Sequence, residues 1–181
     1  MPLSSFIRPW KGSVIRHLPA VPGKQQPAPL NFNYCGKSNE NRWNVSGEPT
    51  LYLASEKDVA LAEFARHFES ARTPALSKQI YKRKVYRFEI ELNYTLDLCN
   101  PSICKKFSLT DAPMCFMNIK IARATANFLR NTTSIQAIFV PSMAFMDNAS
   151  KWCLVIFLEK LQPNYSNFFK EVHPDGYFQI K

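Results

Sequence analysis

Glycine is scarce in this chain, with five residues in 181. No glycine-rich phosphate loop occurs: there is no Gly-x-Gly-x-x-Gly turn, no Gly-Lys-Ser/Thr cradle and no Gly-x-Ser-x-Gly elbow. Their absence argues against a Rossmann dinucleotide site, a P-loop and an α/β-hydrolase. The five cysteines, Cys35, Cys99, Cys104, Cys115 and Cys153, form no Cys-x-x-Cys. Cys99 and Cys104 flank Pro101 at a spacing that fits zinc sites poorly, so buried thiols in a reducing cytoplasm are expected. The three histidines, His17, His67 and His173, lie far apart and assemble no metal site from sequence. No run approaches about 18 consecutive apolar residues, which excludes a spanning helix. The opening MPLSSFIRPWKGS has no apolar stretch of signal-peptide length, and a cytoplasmic location is expected.

The length fits one domain, and 46% apolar content supports a folded core. The net charge of +9 suits an anionic partner, or simple solubility. The cations are scattered apart from a cluster at Lys78, Lys82, Arg83, Lys84 and Arg87. That cluster reads as a solvated strand edge rather than a nucleic-acid patch.

Residues 1–12 are expected as a loosely packed arm and Ser13–Leu18 as a first strand. A long Pro-, Asn- and Gln-rich connection over 19–41 leads to Arg42; loops of this length are often functional. Thr50–Ala54 reads as a short strand, followed by a helix capped by Ser55 and running to about Arg72. Val59, Ala62, Ala65 and Phe68 would face the core, with Glu63 beside that stripe. Val85–Leu92 alternates, with Tyr86, Phe88, Ile90 and Leu92 on the buried face. A separate strand at Thr95–Leu98, a loop over 100–113 and a helix at Cys115–Leu129 follow. Strands at Ile135–Val140 and Trp152–Leu158 complete the core, and a tail with Pro163, Pro174 and Gly176 wraps the surface. The fold class is a single α+β domain.

Arg42, Tyr52 and Glu63 fall on three consecutive elements and can meet in one cleft. A guanidinium forks onto phosphate oxygens, though a structural ion pair is its ordinary use. A strand tyrosine is usually a packed ring, but it can also stack on a ligand or aim its hydroxyl at a phosphate. A mid-helix glutamate is usually solvated; in a cleft it stabilises a developing cation or activates a nucleophile. Ser142 follows Pro141 at a strand end, where sites often form and where turns are also common. Trp43 reads as core and Asn44 as a turn residue.

The block Arg42-Trp43-Asn44, Gly47, Pro49, Leu51-Tyr52-Leu53 and Ala60-Leu61-Ala62-Glu63, with Arg16 before it and Val140-Pro141-Ser142 after it, resembles the RES domain family. The family's name comes from an arginine, a glutamate and a serine. The resemblance spans roughly 12–160, leaving 161–181 as a C-terminal tail packed on the domain. It implies an ADP-ribosyltransferase-like fold with a mixed or antiparallel sheet, and an enzyme that consumes NAD by hydrolysis, phosphorolysis or transfer of ADP-ribose. The implied catalytic set is Glu63, Arg42, Tyr52 and Ser142. The implied NAD contacts are Arg42, Tyr52, Arg16, Trp43 and Asn44, with no metal. The implied partners are an antitoxin with a helix-turn-helix domain and a protein acceptor of ADP-ribose; direct nucleic-acid or membrane binding is not expected. One departure stands out. Glu40-Asn41 occupies the place of the family's usual Gly-Gly, so the alternative is a RES fold that binds a nucleotide or protein without turnover.

Overall fold

The computed structural model describes residues 3–20, 23, 25, 27–70 and 81–180. Strands dominate: β1 (Arg8–Pro19), β2 (Thr50–Ala54), β3 (Tyr81–Asp97), β4 (Ala137–Pro141), β5 (Trp152–Phe157) and β6 (Phe169–Ile180). Among the described residues three α-helices accompany them: α1 (Lys57–Ser70), α2 (Pro101–Lys106) and α3 (Ile119–Thr132). The sheet order is β1-β2-β5-β4-β3-β6, and β1 also pairs with β3. The first five strands therefore close on themselves, with β6 added along the outer edge of β3. All pairs are antiparallel except β3–β4.

Period-two alternation builds the two larger cores from this ring. Val14, Leu51, Leu53, Phe88, Ile90, Leu92, Leu154 and Ile156 fill the space between the strands. The opposite faces of β4 and β5 give Ile138, Val140, Val155 and Phe157, which pack on Ala122, Ala126 and Leu129 of α3. The expected buried face of β3, Tyr86 through Leu92, is the observed one.

Several expectations are corrected. The N-terminal arm is strand from Arg8 onward, because β3 offers it a full antiparallel partner. Thr95–Asp97 continues β3 without a break. The expected loop after Asn100 starts with α2, whose first turn is set by Pro101 and by Asn100, whose side-chain oxygen accepts the Ser102 N–H at 2.9 Å. The helix expected from Cys115 begins instead at Ile119, capped by Asn118, after a 3-10 turn at Met114–Met117. Ser55 does not cap α1; its hydroxyl accepts the Trp152 N–H, and the buried face of α1 is Val59 and Ala60.

The tail also departs from expectation, since residues 169–180 form β6. Pro174 and Gly176 read as breakers, but a register shift between Lys84 and Tyr86 of β3 accommodates them, with Gly176 at φ +88. The basic cluster is correspondingly not an edge: Lys82, Arg83 and Lys84 lie between β1 and β6. Phe68's side chain, residues 71–72 and Lys78 lie outside the described residues. Among the described residues no helix is long and apolar enough to cross a membrane.

Candidate active site

Two cavities of about 340 Å3 each and a smaller one of about 70 Å3 adjoin one another and share Tyr52 and Glu63. Arg42 lines two of the three, and His17 lines both of the larger ones. The cleft thus opens where β1, β2, α1 and the loop before β2 meet.

Glu63 is held by the β4–β5 connection. Ser142 is fully buried and its Oγ donates to Glu63 Oε1 at 2.6 Å; the Ala144 N–H donates to the same oxygen at 3.0 Å. Charge-assisted bonds of this kind fix a carboxylate in place. The Cys153 thiol beside it is pushed well above its ordinary pKa by burial and by the Glu63 charge, so it remains protonated.

Tyr52 organises the arginine loop. Its hydroxyl donates to Asn44 Oδ1 at 2.8 Å and accepts the Trp43 N–H at 3.0 Å. Burial raises the phenol's pKa, so the donor proton is retained. Asn44, itself buried, donates through Nδ2 to the carbonyls of Gly36 and Val45 at 3.0 and 2.7 Å. Gly36 is at φ +81, and a Cβ there would lie 1.8 Å from the Glu48 carbonyl oxygen, so only glycine fits.

Arg42 reaches across to the 3-10 turn before α3, donating to the Phe116 and Met117 carbonyls at 2.6 and 2.9 Å. Burial and the Arg66 charge lower its pKa, while Glu63 and Tyr52 raise it. Arg123 of α3 donates to the Asn41 carbonyl through Nε at 3.0 Å and Nη2 at 2.7 Å, clamping the same loop. Two further guanidinium groups, Arg66 and Arg123, therefore act on Arg42 beside a carboxylate-bearing cleft.

The structure brings Arg42, Tyr52, Glu63 and Ser142 together. It places the other expected contacts differently. Trp43 is only 3% exposed and packs on Phe116 with ring centroids 4.9 Å apart, so it is core and not a stacking platform. Asn44 is spent on the loop. Arg16 lines one cavity, but its guanidinium donates to the Pro29 and Asn31 carbonyls and lies over Phe32, which makes it the clamp of the long connection. His17, Arg66 and Arg123 were not singled out by sequence. Their places depend on strand register and helix packing that no local pattern encodes. Glu40 lines the cleft beside Arg42. A larger cavity of about 660 Å3 lies elsewhere, walled by Trp10, Phe139 and Trp152. Among the described residues no cluster of His, Cys, Asp and Glu could hold a metal ion.

The family model for the RES domain matches residues 17–170, most of the chain. The protein belongs to the RES domain family. Among solved structures, this RES protein is similar to a chain in the crystal structure of the M. tuberculosis MbcT–MbcA toxin–antitoxin complex. The TM-score is 0.60 at 14% identity, covering 98% of this chain and 89% of that one. At that identity the likeness speaks for the fold. No curated protein matches the chain.

Proposed function

We infer that this RES protein cleaves NAD at the nicotinamide–ribose bond. The observation that carries the reading is a carboxylate, Glu63, fixed by Ser142 and Ala144 in a cleft whose rim holds Arg42 and Arg66. Nicotinamide in NAD is already cationic and leaves as a neutral ring, so the reaction needs little acid catalysis. The C–N bond breaks with its electron pair going to the ring, and the ribose carbon becomes an oxocarbenium ion. A fixed negative charge beside that carbon stabilises it, and cations on the pyrophosphate orient it. Water, phosphate or a protein side chain then forms the new bond to the carbon and releases a proton. Arg42 serves the phosphates, Tyr52 holds the loop that presents Arg42, and Ser142 holds Glu63.

The proposal includes an ADP-ribosyltransferase-like fold and a cytoplasmic toxin neutralised by a partner antitoxin with a helix-turn-helix domain. A protein acceptor of ADP-ribose is the third partner for the transfer variant, and nucleic acid is not bound directly. The test is free nicotinamide after incubation with NAD, with and without phosphate. Wild-type release lost in both Arg42→Ala and Glu63→Ala supports the reading, and phosphate dependence separates phosphorolysis from hydrolysis. No release from folded protein rejects the hydrolytic and phosphorolytic forms.

A second reading, binding without turnover, is favoured by two observations. Arg42 donates to two backbone carbonyls, and Glu40 sets a carboxylate on the rim. Calorimetric NAD binding without nicotinamide release supports it.

A further inference from the structure

His17 enters the cleft from β1, and two of its immediate supports come from strands that do not line it. Arg83 pairs with Pro19 on β1 and with Phe178 on β6, which puts the three side chains of His17, Arg83 and Phe178 on one face. Arg83 Nε donates to His17 Nδ1 at 3.1 Å. The His17 ring stands edge-on to Phe64 of α1 and to Phe178 of β6, each with centroids 5.1 Å apart. Arg83 itself lies over Phe64 at 4.6 Å. Phe178 lies beyond the residues matched by the family model.

The hydrogen bond dictates the tautomer. An arginine N–H only donates, so Nδ1 is the acceptor and the ring proton sits on Nε2. Protonating Nδ1 would break the bond and set a second positive charge against Arg83. The geometry points to His17 as a neutral, fixed Nε2–H donor to a hydroxyl of the substrate's ribose, with Arg83 and Phe178 as its positioning residues. This rests on the proposed NAD reading. The ribose is the natural acceptor, because His17 lines the same two cavities as Glu63, the carboxylate assigned to the ribose carbon.

The charged groups around the ring agree with a neutral imidazole. Arg16 adjoins it on β1, Arg83 on β3, and Glu40, Arg42, Glu63 and Arg66 line the cleft it faces. Burial, then Arg83 and Arg16, bring its pKa down to about 3. A neutral donor offers ribose a bond without competing with Glu63 for the cation-like carbon.

The test is nitrogen NMR of the full chain labelled in histidine, with the His17 signal identified by its loss in His17→Gln. The expected spectrum is an Nε2–H tautomer that does not titrate between pH 8 and 5, in contrast to the ordinary midpoint near about 6.5. In Arg83→Gln and Phe178→Ala the same signal should titrate or show mixed tautomers. ADP-ribose should shift the Nε2 resonance in wild type. In nicotinamide release, His17→Phe should lower kcat/KM about tenfold or more, and His17→Gln, which keeps an N–H donor, should recover most of it. An Nδ1–H tautomer, or titration near 6.5 in wild type, overturns the positioning. ADP-ribose binding seen by calorimetry without any Nε2 shift overturns the ligand role alone. Absence of both ADP-ribose and NAD binding overturns the functional reading and the ligand role together, whatever the tautomer.

Discussion

Glu63 and Ser142 are 79 positions apart and joined by a 2.6 Å hydrogen bond. If Glu63 stabilises the ribosyl cation, Glu63→Gln should lower nicotinamide release by about a hundred- to a thousandfold. Ser142→Ala should cost less, roughly ten- to a hundredfold, because a bond to a charged group contributes about 1.5–3 kcal/mol and the Ala144 N–H remains. Equal losses in the two variants would argue that Ser142 touches substrate itself. His17 predicts a pH effect on stability. Its folded pKa lies near 3, below the unfolded value of about 6.5, so the unfolded state binds the extra proton as pH falls. Thermal stability should therefore decline as pH drops from about 6.5 toward 3, and His17→Gln should flatten part of that decline in a melting series. Arg42, Tyr52, Glu63 and Ser142, which the structure brings together, were readable from sequence because they fall on successive motifs in a recognisable order. Trp43 and Asn44 share that order but serve the loop. His17, Arg66 and Arg123 carried no signal, since a histidine on an alternating strand or an arginine on a helix is ordinary until the partner across the cleft is known.

At the scale of elements, the loop from 28 to 49 is the part that turns a strand pair into a site. It is tied at Arg16, at Gly36 through Asn44 and the Gly47 N–H, and at Arg123 through Asn41. Gly36→Ala should lower the melting temperature, since a left-handed residue with a side chain costs about 1–2 kcal/mol before the clash with Glu48 is relieved. Unchanged melting would mean that the loop is not tied there. Arg123→Ala should raise KM for NAD more than it lowers kcat, because it frees the loop that presents Arg42 without touching the carboxylate; steady-state kinetics on nicotinamide release separates the two. The alternation of β3 was readable because one of its faces is continuously apolar. β6 was not, because Lys170, Glu171, His173 and Asp175 alternate with Pro174 and Gly176, and its pairing depends on β3. Asp175 accepts from Arg87 at 2.8 Å and pairs with Lys57 at 2.7 Å, so the bulged segment is pinned to both β3 and α1.

The whole molecule is a strand ring that buries one core inside, a second against α3 and a smaller one under α1, with a formal net charge of +9. The ring walls the cleft with β1 and β2, and arginines from a loop and from α1, Arg42 and Arg66, line its rim. If the proposed toxin role holds, the protein should arrest growth when expressed, and Glu63→Ala should relieve the arrest with its expression level unchanged. Arrest that persists in Glu63→Ala would place toxicity outside this cleft. The most direct measurement of the central claim is nicotinamide released from NAD by purified wild-type, Arg42→Ala and Glu63→Ala protein, each with and without phosphate. Cleavage at this site predicts release by wild type and near-background release by both variants. Undiminished release by Glu63→Ala, or none from folded wild type under either condition, would contradict it.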